Sequence, residues 1–472
     1  MSLLHAPSTP PSPVEDDVAT RIAALRHRVD GSVLIPGDTG FDEAAATWNR
    51  AAAHDPALIV VADNVGDVIA TVTFATGLGL GLGVQATGHG VVCPVDGVLL
   101  VTARLQEVVV DPEERTAWIG AGCTLGPVLA AAQVHGLAPL VGSSPTVGAV
   151  GYTLGGGLGW LARHYGPACD AVRSFEVVTP DGSLVRACRV EHPELFRALR
   201  GGGGGCGVVT DMEIELFPVT DVYAGNLYYP ADAVVGVVQQ WAEWVADAPD
   251  ELTSAVVLMN FPPAPDVPEA LRGRSFTILR GCWSGPLEEG RALLDEWRAM
   301  MPPEIDDWSD ISFGDAALIS MDPVDPLPVV STGGWLETVD AEVGAVLAAG
   351  TFAAAGSPPL LFSEIRHVGG AVAVGDPEHS TMGNRDGRFL LQLVGVPVEP
   401  GVGIEVAGHQ QATKAALGPR LSDRTYINFL DGDERRSCAG TAIDDADREL
   451  IRSLRRRTDP DGVMRFGIDH EA

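Results

Sequence analysis

Positive charge is scarce in this sequence: 31 Lys and Arg stand against 63 Asp and Glu, a formal net charge of −32. Such a surface repels phosphate backbones and anionic lipid, which argues against nucleic acid or a membrane surface as a partner. The opening stretch "MSLLHAPSTPPSPVEDD" lacks the basic start and apolar run of a secretory signal, and no later segment offers about twenty uninterrupted apolar residues. The expectation is a cytoplasmic protein. Its seven cysteines form no CxxC pair and no histidine-spaced cluster, so neither a disulfide framework nor a metal site is expected. HExxH, Walker A and GxSxG motifs are missing too, which removes the usual signals of zinc hydrolysis, P-loop chemistry and the hydrolase nucleophile.

At 472 residues the chain is too long for one hydrophobic core. Its texture divides it into a Pro/Ser-rich tail, expected to be disordered over 1–15, with a leading helix to 32; a first domain over 33–218; a second over 219–419; and a closing segment over 420–472 that returns to the first. From about 45 to 110 the pattern reads helix, strand, helix, strand, with "ALIVVAD" and "LGLGVQATG" as the strands. After Pro218, five strand-like stretches alternate with amphipathic helices such as "DAVVGVVQQWAEWVAD", the pattern of an antiparallel sheet with helices on one face.

Glycine is abundant, and its placement is informative. In "GLGVQATGHGVVC" a strand stops at His89, set between Gly88 and Gly90. Glycine on both sides clears space around the imidazole, although a lone histidine there is more often a turn residue. Further on, "GSSPTVGAVGYTLGGGLGWLARHYG" and "LRGGGGGCGVVTDMEIELFPV" commit long stretches of main chain to glycine. That freedom is costly to order and suggests backbone wrapped closely around a ligand. The match to a nicotinamide-binding fingerprint is poor, because Asp170 follows too soon and Asp181 sits in an apparent hairpin turn, "TPDG".

Taken in order, the Gly-His-Gly stop, "PTVGAVGYTLGGGLGWLARHYG", "HPELFRALRGGGGGCGVVT" and the terminal "YINF" and "DPDGVMRF" resemble the FAD-linked oxidases of the para-cresol methylhydroxylase and vanillyl-alcohol oxidase superfamily. Within it they are most similar to the berberine-bridge-enzyme group. The resemblance spans about residues 33–467. It implies a two-domain α+β fold: a PCMH-type FAD-binding domain and a substrate domain whose antiparallel sheet is covered by helices on one face. It also implies FAD bonded covalently through His89, with glycine-loop amides facing the pyrophosphate. Contacts are implied from Thr87, Gly88 and Gly90; from Ser144, Thr146, Val147, Gly148, Tyr152, Gly155, Gly156, Gly157, Gly159 and Trp160; from Gly207, Val208 and Val209; and from Asn428. Ser144 stands where doubly attached members carry a cysteine, so a single bond is expected.

The second domain and the tail supply candidate chemistry. Strand alternation in "LLFSEIRHVGG" places Phe362, Glu364 and Arg366 on one face, with Leu361, Ile365 and the ring of His367 on the other. "YINF" resembles a family "YxNY", but its second aromatic is Phe429, which accepts no proton. The base is then Glu364, Tyr426 or His367, with Arg366 as a possible anchor for an anionic substrate. The implied reaction removes a hydride from a small-molecule C–H next to O or N, with dioxygen as acceptor, in secondary metabolism. A cyclising or oxygenating outcome, or a protein that only sequesters a metabolite, stands as the alternative. The chain is expected to be a monomer or homodimer.

Overall fold

The computed structural model describes residues 13–265, 267–352, 360–397 and 402–471. Of the Pro/Ser-rich start, residues 1–12 lie outside these, and the leading helix begins at Pro13 and runs to Arg26. Three sheets organise the rest. The first has the order Ser32–Leu34, Leu58–Val61, Val98–Val101, Leu82–Gln85. Its last three strands run parallel, and the two central ones are buried at every position, which is why they read as unbroken apolar runs. The crossover helix Val65–Leu78 starts where the Asn64 side chain accepts from Asp67 N and stops at Gly79 in the left-handed region.

The helix expected at about 45 closes early, at Ala45. The next backbone donors are taken elsewhere: Trp48 N–H donates to Thr87 O at 2.9 Å and Asn49 N–H to Gly88 O at 3.1 Å. This segment therefore clamps the Gly-His-Gly loop instead of continuing a helix.

A five-stranded antiparallel sheet follows, with Val108–Asp111, Thr116–Gly120, Val208–Glu215, Val172–Val178 and Leu184–Cys188 in that order. The third sheet has eight antiparallel strands. Its long members are Asp221–Pro230, Leu252–Asn260, Ser275–Trp283, Val330–Leu336, Phe362–His367 and Phe389–Gly395. Helices Val234–Trp244, Leu287–Met300, Ala341–Thr351 and Val402–Leu417 cover one face of it. Trp241, Trp297, Val343, Leu347 and Val406 pack there on Val256, Leu258, Leu279, Ile365 and Leu393. Each large apolar side chain buried in this way contributes about 1.5–3 kcal/mol. Strand Val330–Leu336 and helices Ala341–Thr351 and Val402–Leu417 extend the pattern beyond the elements read from sequence.

Two arginines from the first domain fasten the domains together. Arg163 donates to Leu252 O, Val368 O and Ala248 O and pairs with Asp250. Arg200 donates to Cys169 O, Asp170 O and His379 O and pairs with Asp376. The tail packs back on the first domain, where Val463 and Met464 join the core of the parallel sheet and Leu82 N–H donates to Val463 O at 2.8 Å. Among the described residues, no helix is long and apolar enough to cross a membrane.

Candidate active site

The loop after strand Leu82–Gln85 enters a cavity of about 430 Å³ that the second domain roofs. Gly88 turns the chain with φ of 73°, and a Cβ there would meet Thr47 Cα at 2.7 Å. Only glycine meets both demands. His89 is thereby presented flat against Trp48, ring centroids 4.1 Å apart and 14° between planes. Its Nδ1 lies 2.9 Å from Thr87 Oγ1 and its Nε2 3.2 Å from Thr146 Oγ1, which in turn lies 3.1 Å from Ser144 Oγ. A hydroxyl therefore orients each ring nitrogen, and bonding at either one leaves the other held.

Burial lowers the His89 pKa to about 4, against about 6.5 for a free imidazole. The unfolded ring takes its proton near pH 6.5 and the folded ring only near 4. The contribution of this group to stability is thus complete above pH 6.5 and is lost as pH falls towards 4. A neutral ring with a free lone pair is what attachment to a cofactor needs. Uptake of FAD onto flavin-free protein should accordingly show no titration between pH 8 and 5.5; a midpoint near 6.5 contradicts this environment.

Several implied residues line the cavity: Thr87, Gly88, His89, Gly90, Ser144, Val147, Gly148, Tyr152, Glu364, Arg366, Tyr426 and Asn428. Thr146 reaches it through His89. Gly155, Gly156, Gly157, Gly159, Trp160, Gly207, Val208 and Val209 are not in the lining. A Cβ on Gly155 would sit 2.0 Å from Asn428 Oδ1, and one on Gly159 1.8 Å from Val141 O. Gly157 N–H and Leu158 N–H both donate to Tyr426 Oη at 3.0 Å. The triple-glycine segment therefore seats the tail. Gly207 packs on Val177, while Val208 and Val209 are buried in their strand.

On the roof, Arg366 Nε and Nη2 both meet Glu364 Oε1, at 2.8 and 2.7 Å. Arg366 Nη1 donates to Leu158 O, and the guanidinium lies over the rings of Trp160 and Phe429. Arg366 is thus tied to Glu364 and to the Leu158 carbonyl, with one N–H on each of Nη1 and Nη2 left over. Leu361 precedes the strand and lines the cavity with Phe362, against the alternation read from sequence. His367 is on the helix side: it stacks on Phe389, receives Arg163 Nη1 at 3.2 Å, and has its pKa lowered to about 2 by burial and that cation. It does not reach the cavity and is no candidate base. The Tyr426 hydroxyl, pushed up to about 12 by burial, already accepts from two amides and from Asn428 Nδ2.

The lining also contains Trp48, Ser143, Arg280, Asp322, Gln392, Asp431 and Arg435, none singled out from sequence. Asp322 accepts from Ser143 at 2.6 Å, and desolvation raises its carboxyl above the usual range. Arg435 closes on the histidine loop so tightly that a Cβ at Gly90 would lie 2.1 Å from its Nη1, and its buried Nε has no partner among the described residues. Its stretch, "GDERR", has the charge pattern of a solvent-exposed helix end, which hid it. Arg280 carried a usable signal, a lone charge inside the apolar strand "SFTILRGCW".

These residues fit FAD: a nearly side-chain-free loop around His89, hydroxyls at Thr87, Ser143, Ser144 and Thr146, a partly unsatisfied guanidinium at Arg435 for an anionic edge, and apolar walls. Residues 56–187 match the FAD binding domain family. The match covers the first domain only, and across nearly the whole chain the fold is that of a solved 6-hydroxy-D-nicotine oxidase and of a berberine-bridge-enzyme-like protein.

Among its relatives, (R)-6-hydroxynicotine oxidase of Paenarthrobacter nicotinovorans is 32% identical over 235 residues, 49% of each chain. An FAD-dependent monooxygenase of Fusarium proliferatum (strain ET1) is 32% identical over 219 residues, 45% of this chain and 42% of that one. The chain thus spans about half the length of the curated relatives it matches. Among solved structures, 6-hydroxy-D-nicotine oxidase from Arthrobacter nicotinovorans superposes with a TM-score of 0.80 at 21% identity, over 93% of this chain and 98% of that one. Xylooligosaccharide oxidase from Myceliophthora thermophila C1 gives 0.79 at 22%, over 94% and 98%.

Proposed function

We propose that the protein is an FAD-linked oxidase that oxidises a small-molecule C–H next to O or N, with FAD bonded once, through His89. The observation that carries this reading is a single cavity joining the oriented, neutral His89 to the Glu364–Arg366 pair on the facing sheet. FAD, when bound, accepts the hydride and hands the electrons to dioxygen as hydrogen peroxide.

The chain supplies position and proton transfer. Glu364 Oε2 makes no hydrogen bond among the described residues, while Arg366 fixes Oε1. Oε2 therefore takes the proton from the substrate hydroxyl or amine, and Arg366 stabilises the carboxylate while it waits. Phe362, Leu361 and Val394 give the substrate an apolar wall that sheds water from the reacting C–H. The Ser144 hydroxyl, bonded towards Thr146, offers no thiol for a second attachment.

Purified protein should be yellow, be bleached anaerobically by its substrate, and release one peroxide per turnover when air is admitted. Protein that binds metabolites without ever bleaching would sink the oxidase reading. The Fusarium relative bears the name monooxygenase, which favours oxygen transfer to substrate as a second reading; label from ¹⁸O₂ in the product, with peroxide missing, would establish it. His89→Ala should still bind FAD yet release all of it on acid precipitation.

A further inference from the structure

Two arginines point from the roof sheet into the cavity, and only one is satisfied. Strand pairing sets Asn226, Arg280, Ala255, Arg366 and Leu390 in one row across four neighbouring pairs. Directly opposed residues share a face, so Arg280 and Arg366 leave the sheet on either side of Ala255, their Cα atoms two strand spacings or about 10 Å apart. Ala255 itself is fully buried, packed with Tyr228 and Val257.

Arg366 spends its donors on Glu364 and Leu158 O. Arg280 is 3% exposed and makes one hydrogen bond, from Nε to Asn226 Oδ1 at 2.9 Å. Asn226 is itself fixed, because its Nδ2 donates to Ile319 O. Nη2 of Arg280 is buried without an acceptor, and among the described residues no carboxylate lies within ion-pairing distance of the side chain. Asp307 and Asp322 feel this charge without bonding to it, so Nη2 still lacks an acceptor, and the planar fork matches a carboxylate.

We propose that Arg280 anchors a carboxylate carried by the substrate, so that the substrate class is small organic acids bearing the oxidisable alcohol or amine at the other end. Asp322, whose field reaches Arg280 and whose carboxyl is raised by burial, does not fill this place: it is held by Ser143. With the carboxylate on Arg280, the opposite end of a short substrate lies near Glu364, across Ala255.

The inference rests on the oxidase reading and is tested with benzoate and its neutral isostere benzamide, by calorimetry and by visible difference spectra of the holoprotein. Benzoate should bind wild type at least about 10-fold more tightly than benzamide. Arg280→Gln, which keeps a donor for Asn226, should weaken benzoate about 30-fold or more, in the range of a lost charge-assisted pair, while leaving benzamide affinity and flavin content alone. Arg280→Lys should recover part of the loss. Because Arg280 has no ion pair to lose and Gln keeps a donor for Asn226, Arg280→Gln should not lower Tm in the absence of ligand. Equal affinity for the two probes, binding of neither, or benzoate affinity unchanged in Arg280→Gln overturns the proposal. Protein that purifies without flavin would instead overturn the oxidase reading, and calorimetry on that same protein would still decide the role of Arg280.

Discussion

Glu364→Gln is expected to slow reduction of the bound flavin by about a hundredfold or more, the range a positioned base contributes, with the flavin still in place. The substitution preserves shape and leaves an amide oxygen for Arg366. It removes the proton acceptor at Oε2, the carboxylate oxygen of the Glu364–Arg366 pair that carries no hydrogen bond among the described residues. Stopped-flow reduction compared in Glu364→Gln and Asp322→Asn separates the two cavity carboxylates. An unchanged rate in the first with a collapse in the second moves the base to Asp322. Unchanged rates in both mean that the substrate enters already ionised.

Tyr426→Phe should act on stability before it acts on chemistry. Its hydroxyl oxygen is the acceptor for Gly157 N–H and Leu158 N–H, both buried, and for Asn428 Nδ2. Phenylalanine keeps the ring and strands two buried amides, at about 1–3 kcal/mol each. The expected outcome is a Tm lower by several degrees, with earlier proteolysis of the segment after 420. A variant as stable as wild type, but with flavin reduction abolished, would place Tyr426 in the proton path and show that its amide contacts carry little weight.

The contrast between these two residues shows what the sequence made legible. Glu364 and Arg366 were readable because strand period fixes which side chains share a face, and a charge pair inside an apolar run has few structural uses. Tyr426 lines the same cavity, but its partners come from a segment 268 and 269 positions away, and no local pattern encodes that docking. The same holds for the triple glycine. Its composition announced close main-chain approach, but not whether the approaching group is a cofactor or Asn428. Trp48 escaped because stacking on His89 follows from backbone bonds to Thr87 and Gly88, which replaced the helix that local propensity favoured. His367 was the opposite case. Neighbouring two candidates in sequence drew attention to it, while strand alternation already turned it towards the helices.

Attachment at His89 is the central claim, and mass mapping of the purified protein tests it most directly. The tryptic peptide 51–104 carries both His89 and Cys93, the cysteine that lines the same cavity, so fragmentation must resolve the two. The expected result is one FAD per chain, on this peptide, with fragment ions that place it on His89 and none on Cys93. Flavin wholly released by acid, or found on Cys93 or on any other peptide, would contradict the account.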